Sequence, residues 1–182
     1  MHEASEYADF WVFGYGSLMW NPGFPHQAAE PALLVGAHRS LCVFSWVHRG
    51  TPERPGLVLG LDRGGSCRGL AFRVRGADRP EVVEYLRARE QVTNVYQERW
   101  RPIVLSGRRR ESALVYLVDR SHAQYAGVLD AEHQLAIVRE AAGKSGPNRE
   151  YVLSTVAHLR DSGVRDAHLY WLAGALAEEE GA

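Results

Sequence analysis

The sequence predicts an α+β fold built on a small β-barrel or a strongly curled mixed sheet. Strand-like segments fill about the first 120 residues, one helix lies among them, and the last third is helical. Strands and helices segregated in this way argue against a doubly wound parallel sheet. Five or six strands in that length suit a small barrel or a strongly curled mixed sheet. The 182 residues, 46% of them hydrophobic, are expected to form a single domain over residues 1–182.

Runs of aromatic and β-branched residues predict the strands. The first is Phe10-Trp11-Val12-Phe13, which has the composition of a buried strand. The predicted strands are, in chain order, residues 10–13, 32–47, 57–61, 68–74, 96–105 and 112–118. Glycine and polar residues predict an interruption of the second strand near residues 36–40, and a turn at 62–65 between the third and fourth.

Start signals locate the predicted helices. Asp78 precedes Pro80 and Glu81, a pattern typical of a helix start, and this helix is expected to continue to about Val92. From Asp130 the pattern is helical almost to the end, with breaks at residues 143–147 and around residue 163. Asn148 is predicted as the N-cap of the helix that follows the first break.

Charge and composition narrow the classes of partner. The 21 Lys and Arg residues nearly balance 22 Asp and Glu residues, so no overall positive field favours a nucleic acid. No apolar run reaches the roughly 20 residues of a membrane span. The acidic segment Met1 to Asp9 lacks the basic start of a signal peptide, which predicts a cytoplasmic protein. Cys42 and Cys67 have no metal-ligand spacing and are expected to be small apolar core residues.

Glu90 is the first candidate for chemistry. On a helical wheel of about 100° per residue it falls beside the apolar stripe that contains Leu86, whereas Glu84 points away from it. An ionised carboxylate aimed at a core costs several kcal/mol unless it is paired. The sequence leaves two explanations open: a buried ion pair with a nearby arginine, or a carboxylate of raised pKa that acts as general base and acid.

The second candidate is the loop that follows the first strand, Gly14-Tyr15-Gly16-Ser17-Leu18. Glycines at such a position let backbone N–H groups converge on an anionic oxygen. A plain tight turn explains the same residues. A dinucleotide fingerprint is not supported, because Met19 stands where its third glycine is needed. Ser17 also lacks the GxSxG setting of a serine hydrolase.

Five segments taken together resemble the ChaC-type γ-glutamylcyclotransferases. They occur in the family's order between about residues 10 and 159, and the first of them is specific. The segments are Val12 to Pro22, His48 to Gly56, Tyr85 to Glu90, Gln124 to Gly127 and Ser145 to Tyr151.

The resemblance implies a small mixed β-barrel with flanking helices, and cleavage of γ-glutamyl peptides, chiefly glutathione, to 5-oxoproline and the remaining dipeptide. It implies that the reaction needs no metal or organic cofactor. It implies a small-molecule substrate, and neither a nucleic acid nor a membrane as a partner, and it leaves the oligomeric state open. It assigns the catalytic glutamate to Glu90, the substrate-binding loop to Tyr15, Gly16, Ser17 and Leu18, and further substrate contacts to Arg49 and Tyr125.

Two departures from the family pattern leave the substrate preference open. Asn94-Val95 stands where the family has glycines after the catalytic helix, and Met19 replaces a smaller aliphatic residue. Action on other γ-glutamyl amines or peptides is therefore an alternative. A second alternative is a module that binds a γ-glutamyl ligand without turnover, although such a module has no need of an acid beside the apolar stripe.

Overall fold

A computed structural model describes residues 8–178, and their contacts group into two compact units. One unit contains the residues up to Arg39 together with Leu61–Asp119, and the other contains Ser40–Gly60 and the residues from Arg120 onward. Most of the acidic N-terminal segment lies outside the described residues. The expectation of one domain over residues 1–182 stays a prediction.

The first unit is built on a closed five-stranded barrel in the order β1-β3-β2-β4-β5. The parallel pairing of β1 with β5, in which Trp11 faces Ala113, closes the barrel, and β1 pairs with β3 in the antiparallel sense. The barrel confirms the predicted α+β class. The strands are β1 Phe10–Gly14, β2 Ala28–Ser45, β3 Gly56–Val74, β4 Tyr96–Leu105 and β5 Arg110–Val118.

The two predicted interruptions are wrong, since β2 and β3 run unbroken for 18 and 19 residues. Gly36, Gly64 and Gly65 have positive φ angles of 93°, 97° and 68°, but they lie inside paired strands. Glycines in this conformation bend and twist a strand without ending its pairing. The His38 ring Nδ1 lies 2.9 Å from the Gly64 carbonyl oxygen, a contact that joins β2 to β3 at this bend.

Helix α1, Arg79–Glu90, packs on the barrel within the first unit. It begins after Asp78, as predicted, but ends at Glu90, two residues before the expected end. Its inward residues Val82 and Leu86 are fully buried, which is worth about 2 kcal/mol for each side chain. The core they join consists of Phe10, Val12, Leu18, Phe24, Phe72, Val74, Val82, Leu86, Leu114 and Tyr116.

Up to Glu178, where the described residues end, the second unit contains three helices, α2 Ala131–Glu140, α3 Asn148–Asp161 and α4 Ala167–Glu178. Between α2 and α3 a minimal hairpin pairs β6, Ala142–Gly143, with β7, Gly146–Pro147. Within residues 8–178 no helix has both the length and the apolar composition needed to cross a bilayer.

The prediction that Asn148 caps α3 is wrong. Pro147 occupies the N-cap position, and Asn148 is the first helical residue. The buried Asn148 side chain instead accepts the Leu57 N–H through Oδ1 and donates through Nδ2 to the Leu57 carbonyl oxygen, both at 2.8 Å. Asn148 thereby supplies partners for both backbone groups of a buried residue, which would otherwise be costly to desolvate.

Candidate active site

Glu90 is the last residue of α1 and follows the buried Leu86 by one turn. Its side chain is only 16% exposed, whereas Glu84 on the opposite face of the helix is exposed. The wheel prediction is therefore confirmed. The helix places a carboxylate at the edge of the apolar core.

Burial raises the pKa of the Glu90 carboxyl, and the Arg89 guanidinium partly opposes this. Arg89 Nε lies 3.5 Å from Glu90 Oε1, so an ion pair exists, as one of the two explanations required. Desolvation outweighs that pairing. The carbonyl ends of the last helical turn also disfavour a negative charge here. Glu90 therefore has the properties of a carboxylate that can both take and return a proton.

The loop after β1 forms a short helical turn over Ser17–Met19. The Met19 N–H donates to the Gly16 carbonyl and the Asn21 N–H donates to the Ser17 carbonyl, both at 2.8 Å. Tyr15, Gly16 and Leu18 are buried, and Ser17 is exposed. The loop is therefore a tight turn with one hydroxyl directed outward.

Arg89 joins this loop to the end of α1. Its Nη2 donates to Ser17 Oγ at 2.9 Å, and its Nη1 donates to the Asn21 carbonyl oxygen at 2.6 Å and to the Pro22 carbonyl oxygen at 3.2 Å. The same guanidinium pairs with Glu90. Sequence reasoning missed this role, because Ser17 and Arg89 are 72 residues apart and their contact exists only in the fold.

A second network lies on the barrel near the end of α1. The Tyr116 hydroxyl donates to Glu98 Oε2 at 3.2 Å, and Arg87 donates to both carboxylate oxygens of Glu98 at 2.9 Å. Burial and the neighbouring carboxylates Glu98 and Glu90 raise the pKa of Tyr116, so its phenol stays protonated. Hydrogen bonds from Arg87 lower the pKa of Glu98, which stays ionised.

This network predicts a pH-dependent contribution of Glu98 to stability. Because the folded pKa of Glu98 lies below its unfolded value, the contribution is present above about pH 4 and is lost as the pH falls through the folded pKa. We expect Glu98→Gln to lower the free energy of unfolding by about 1 kcal/mol at neutral pH. Urea titrations near neutrality and at about pH 3 measure the change. Equal losses at both pH values, or a similar loss in the exposed Glu84→Gln control, would contradict this.

Arg49 and Tyr125 belong to the second unit. Arg49 Nη1 donates to the Pro147 carbonyl oxygen at 3.2 Å, and its guanidinium lies 5.8 Å from the centre of the Tyr151 ring. Tyr125 is half-buried, pairs with Val43 in an isolated β-bridge and lies under the guanidinium of Arg120. Their predicted contacts with substrate stay predictions.

Asn94 lies in the turn that follows α1, one of the positions at which the sequence departs from the pattern of the ChaC-type family. Its φ angle is 59°, in the left-handed region that glycine adopts without strain. Asparagine tolerates this region better than most other residues. The backbone after α1 therefore turns as a glycine would, although Asn94 adds a polar side chain to the turn.

The cysteines behave as predicted. Cys42 and Cys67 are buried and form no disulfide. Among the side chains of residues 8–178, no three His, Cys, Asp or Glu groups are arranged to hold a metal ion.

Comparison with known proteins identifies the family. A family model described as ChaC-like protein matches residues 10–179. The chain belongs to the ChaC-like family. Among ChaC-like relatives, the glutathione-specific gamma-glutamylcyclotransferase of Escherichia coli K12 is 33% identical over 156 residues, which cover 86% of this chain and 68% of that protein. The glutathione-specific gamma-glutamylcyclotransferase 1 of Danio rerio is 33% identical over 175 residues, covering 93% and 89%.

The ChaC-like fold is also found in a solved structure. The crystal structure of a yeast gamma-glutamyl cyclotransferase specific to glutathione superimposes with a TM-score of 0.83 at 22% identity, covering 94% of this chain and 96% of that one. The resemblance that the five sequence segments indicated is confirmed, and so is the fold it implied.

Proposed function

We propose that this ChaC-like protein is a γ-glutamylcyclotransferase that cleaves glutathione to 5-oxoproline and Cys-Gly. The observation that carries the proposal is the buried Glu90 carboxylate, whose neighbour Arg89 also binds Ser17 of the glycine loop. The names of the E. coli and Danio rerio relatives support glutathione as the substrate.

Glu90 is the proposed general base. The α-ammonium group of the γ-glutamyl moiety must lose a proton before its nitrogen can attack the γ-carbonyl carbon. Burial raises the pKa of Glu90 and so narrows the gap to the pKa of an amine. The nucleophile and the electrophile belong to one molecule, so the site has to hold the substrate in a bent conformation with these two atoms close together.

The loop after β1 is the proposed oxyanion site. The first N–H groups of a helical turn have no acceptor within that turn, so those of Ser17 and Leu18 are the expected donors to the tetrahedral oxyanion. Ser17 Oγ accepts from Arg89, which leaves its own O–H to donate to the substrate.

Glu90 completes the reaction by returning the proton. The new bond joins the α-nitrogen to the γ-carbon, and the bond from that carbon to the cysteinyl nitrogen breaks. The α-nitrogen gives up two of its three protons, one before the attack and one as the ring closes, and both leave on the nitrogen of Cys-Gly, which departs as an ammonium group. No atom of the protein becomes covalently attached to the substrate.

Arg49 and Tyr125 are proposed substrate contacts outside this chemistry. The Arg49 guanidinium is suited to a carboxylate of glutathione, and the half-buried Tyr125 ring offers apolar surface and a hydroxyl. We further propose that the reaction needs no metal or organic cofactor, because an intramolecular acyl transfer requires only proton transfer and oxyanion stabilisation. We also propose that the protein is cytoplasmic.

The direct test is to incubate the purified protein with glutathione and to measure 5-oxoproline and Cys-Gly by mass spectrometry. We expect the two products in equal amounts. A panel of γ-glutamyl amines and dipeptides tests the preference for glutathione. Thermal stabilisation by glutathione without product would contradict the enzymatic proposal and favour a binding module.

A further inference from the structure

The planar guanidinium of Arg89 contacts both the loop after β1 and Glu90, the proposed base. Its guanidinium contacts Ser17, Asn21 and Pro22 on the loop, and Glu90 on the helix. Only 20% of this side chain is exposed. A planar fork with several fixed donors can hold such a set of acceptors at once, whereas a single ammonium group cannot.

We propose that Arg89 is a positioning residue, which locks the loop of residues 17–22 to the helix end that carries Glu90 and leaves the Ser17 hydroxyl free to donate to substrate. For its kinetic consequences this inference rests on the function proposed above. Its structural part, the attachment of the loop to the helix end by Arg89, does not depend on that function.

The far end of the loop supports the same arrangement. Arg89 Nη1 also donates to the Tyr85 hydroxyl at 3.0 Å. Gly23 has a φ angle of 74°, and a Cβ at this position would overlap the Tyr85 hydroxyl. Tyr85 therefore packs directly on the backbone that follows Pro22, and the Arg89 side chain is fixed between helix and loop.

Arg89 also acts on the charge of Glu90. The charged and titratable groups near that carboxylate are Arg89 from its own helix and Tyr116 from β5. Tyr116 in turn donates to Glu98 from β4, which is paired with Arg87. Arg89 lowers the pKa of Glu90 against the effect of burial. Loss of its charge is therefore expected to move the acidic limb of the kcat profile to higher pH.

Two variants separate the lock from the charge. Arg89→Met removes both, so we expect kcat to fall about 10- to 100-fold and the acidic limb to move to higher pH. We also expect the Met19 and Asn21 amides to exchange their hydrogens about tenfold faster. Arg89→Lys restores the charge without the fork, so its acidic limb should lie near that of the wild type while exchange stays fast.

The matched control is Arg75→Met, which removes an exposed arginine paired with Asp78 and should change neither readout. Wild-type exchange and an unmoved acidic limb in Arg89→Met would overturn the proposal, and so would full loop protection in Arg89→Lys. If Arg89→Met does not fold, Arg89→Lys decides alone by the same two readouts. If the wild type releases no 5-oxoproline, the proposed function fails, and hydrogen exchange still tests the lock.

Discussion

Replacement of Glu90 by glutamine should reduce turnover of glutathione by about 10³-fold while the protein stays folded. Glutamine keeps the size of the side chain but cannot take the proton from the α-ammonium group, and a positioned general base is worth about 10² to 10⁴ in rate. The loss should appear in kcat, since the substrate still fits the site of the variant. Release of 5-oxoproline measured at saturating glutathione gives the comparison.

Glu84→Gln is the matched control, because it makes the same change on the exposed face of the same helix. It should retain wild-type activity. Full turnover by a folded Glu90→Gln variant would remove Glu90 from the mechanism.

Glu90→Gln has a second expected effect, on stability. Because the folded pKa of Glu90 is raised, its contribution to stability is fully present below the unfolded pKa and is lost as the pH rises through the folded value. Glutamine never pays this ionisation cost. The variant should thus be at least as stable as the wild type at neutral pH, and its relative stability should grow from about pH 4 upward. Thermal unfolding across this range measures the difference.

The second large effect is expected at Gly50. A Cβ at this position would overlap backbone atoms of Gly56, Ser45 and Arg54, none of which can move as a flexible side chain can. We expect Gly50→Ala to lower the free energy of unfolding by about 3 kcal/mol. Urea titration of the purified variant checks this value.

Gly174 provides the contrasting control. It lies exposed in α4, and a Cβ there would meet open space. Gly174→Ala should therefore stabilise the protein by up to about 1 kcal/mol, since alanine favours the helix. Equal stability of Gly50→Ala and the wild type would show that the loop around residues 45–56 can open to admit a methyl group.

Local patterns predicted those parts of the fold and site that depend on near neighbours in the chain. The wheel placed Glu90 beside Leu86, and the Asp78 signal located the start of α1, because both depend on residues within a few turns. Glycines were harder to interpret. Gly64 and Gly65 have the conformation of turn residues, yet pairing with a neighbouring strand keeps them inside β3.

Contacts between distant segments were beyond the reach of local patterns. Asparagine is a residue type that favours helix caps, but the side-chain amide of Asn148 is hydrogen-bonded to the backbone of Leu57, 91 residues away. The link from Arg89 to Ser17 is of the same kind. The segment order suggested which residues share a site, through the family resemblance, but it could not state which atoms hold them together.

The closure of the barrel has a consequence for how the protein is made. Strand β1 pairs with β5 through Trp11 and Ala113, which lie 102 positions apart in the chain. During synthesis the first strand leaves the ribosome long before this neighbour exists, and its glycine loop stays attached to an open edge. The residues around Glu90 can therefore complete their packing against the closed barrel only after β5, which ends at Val118, has emerged.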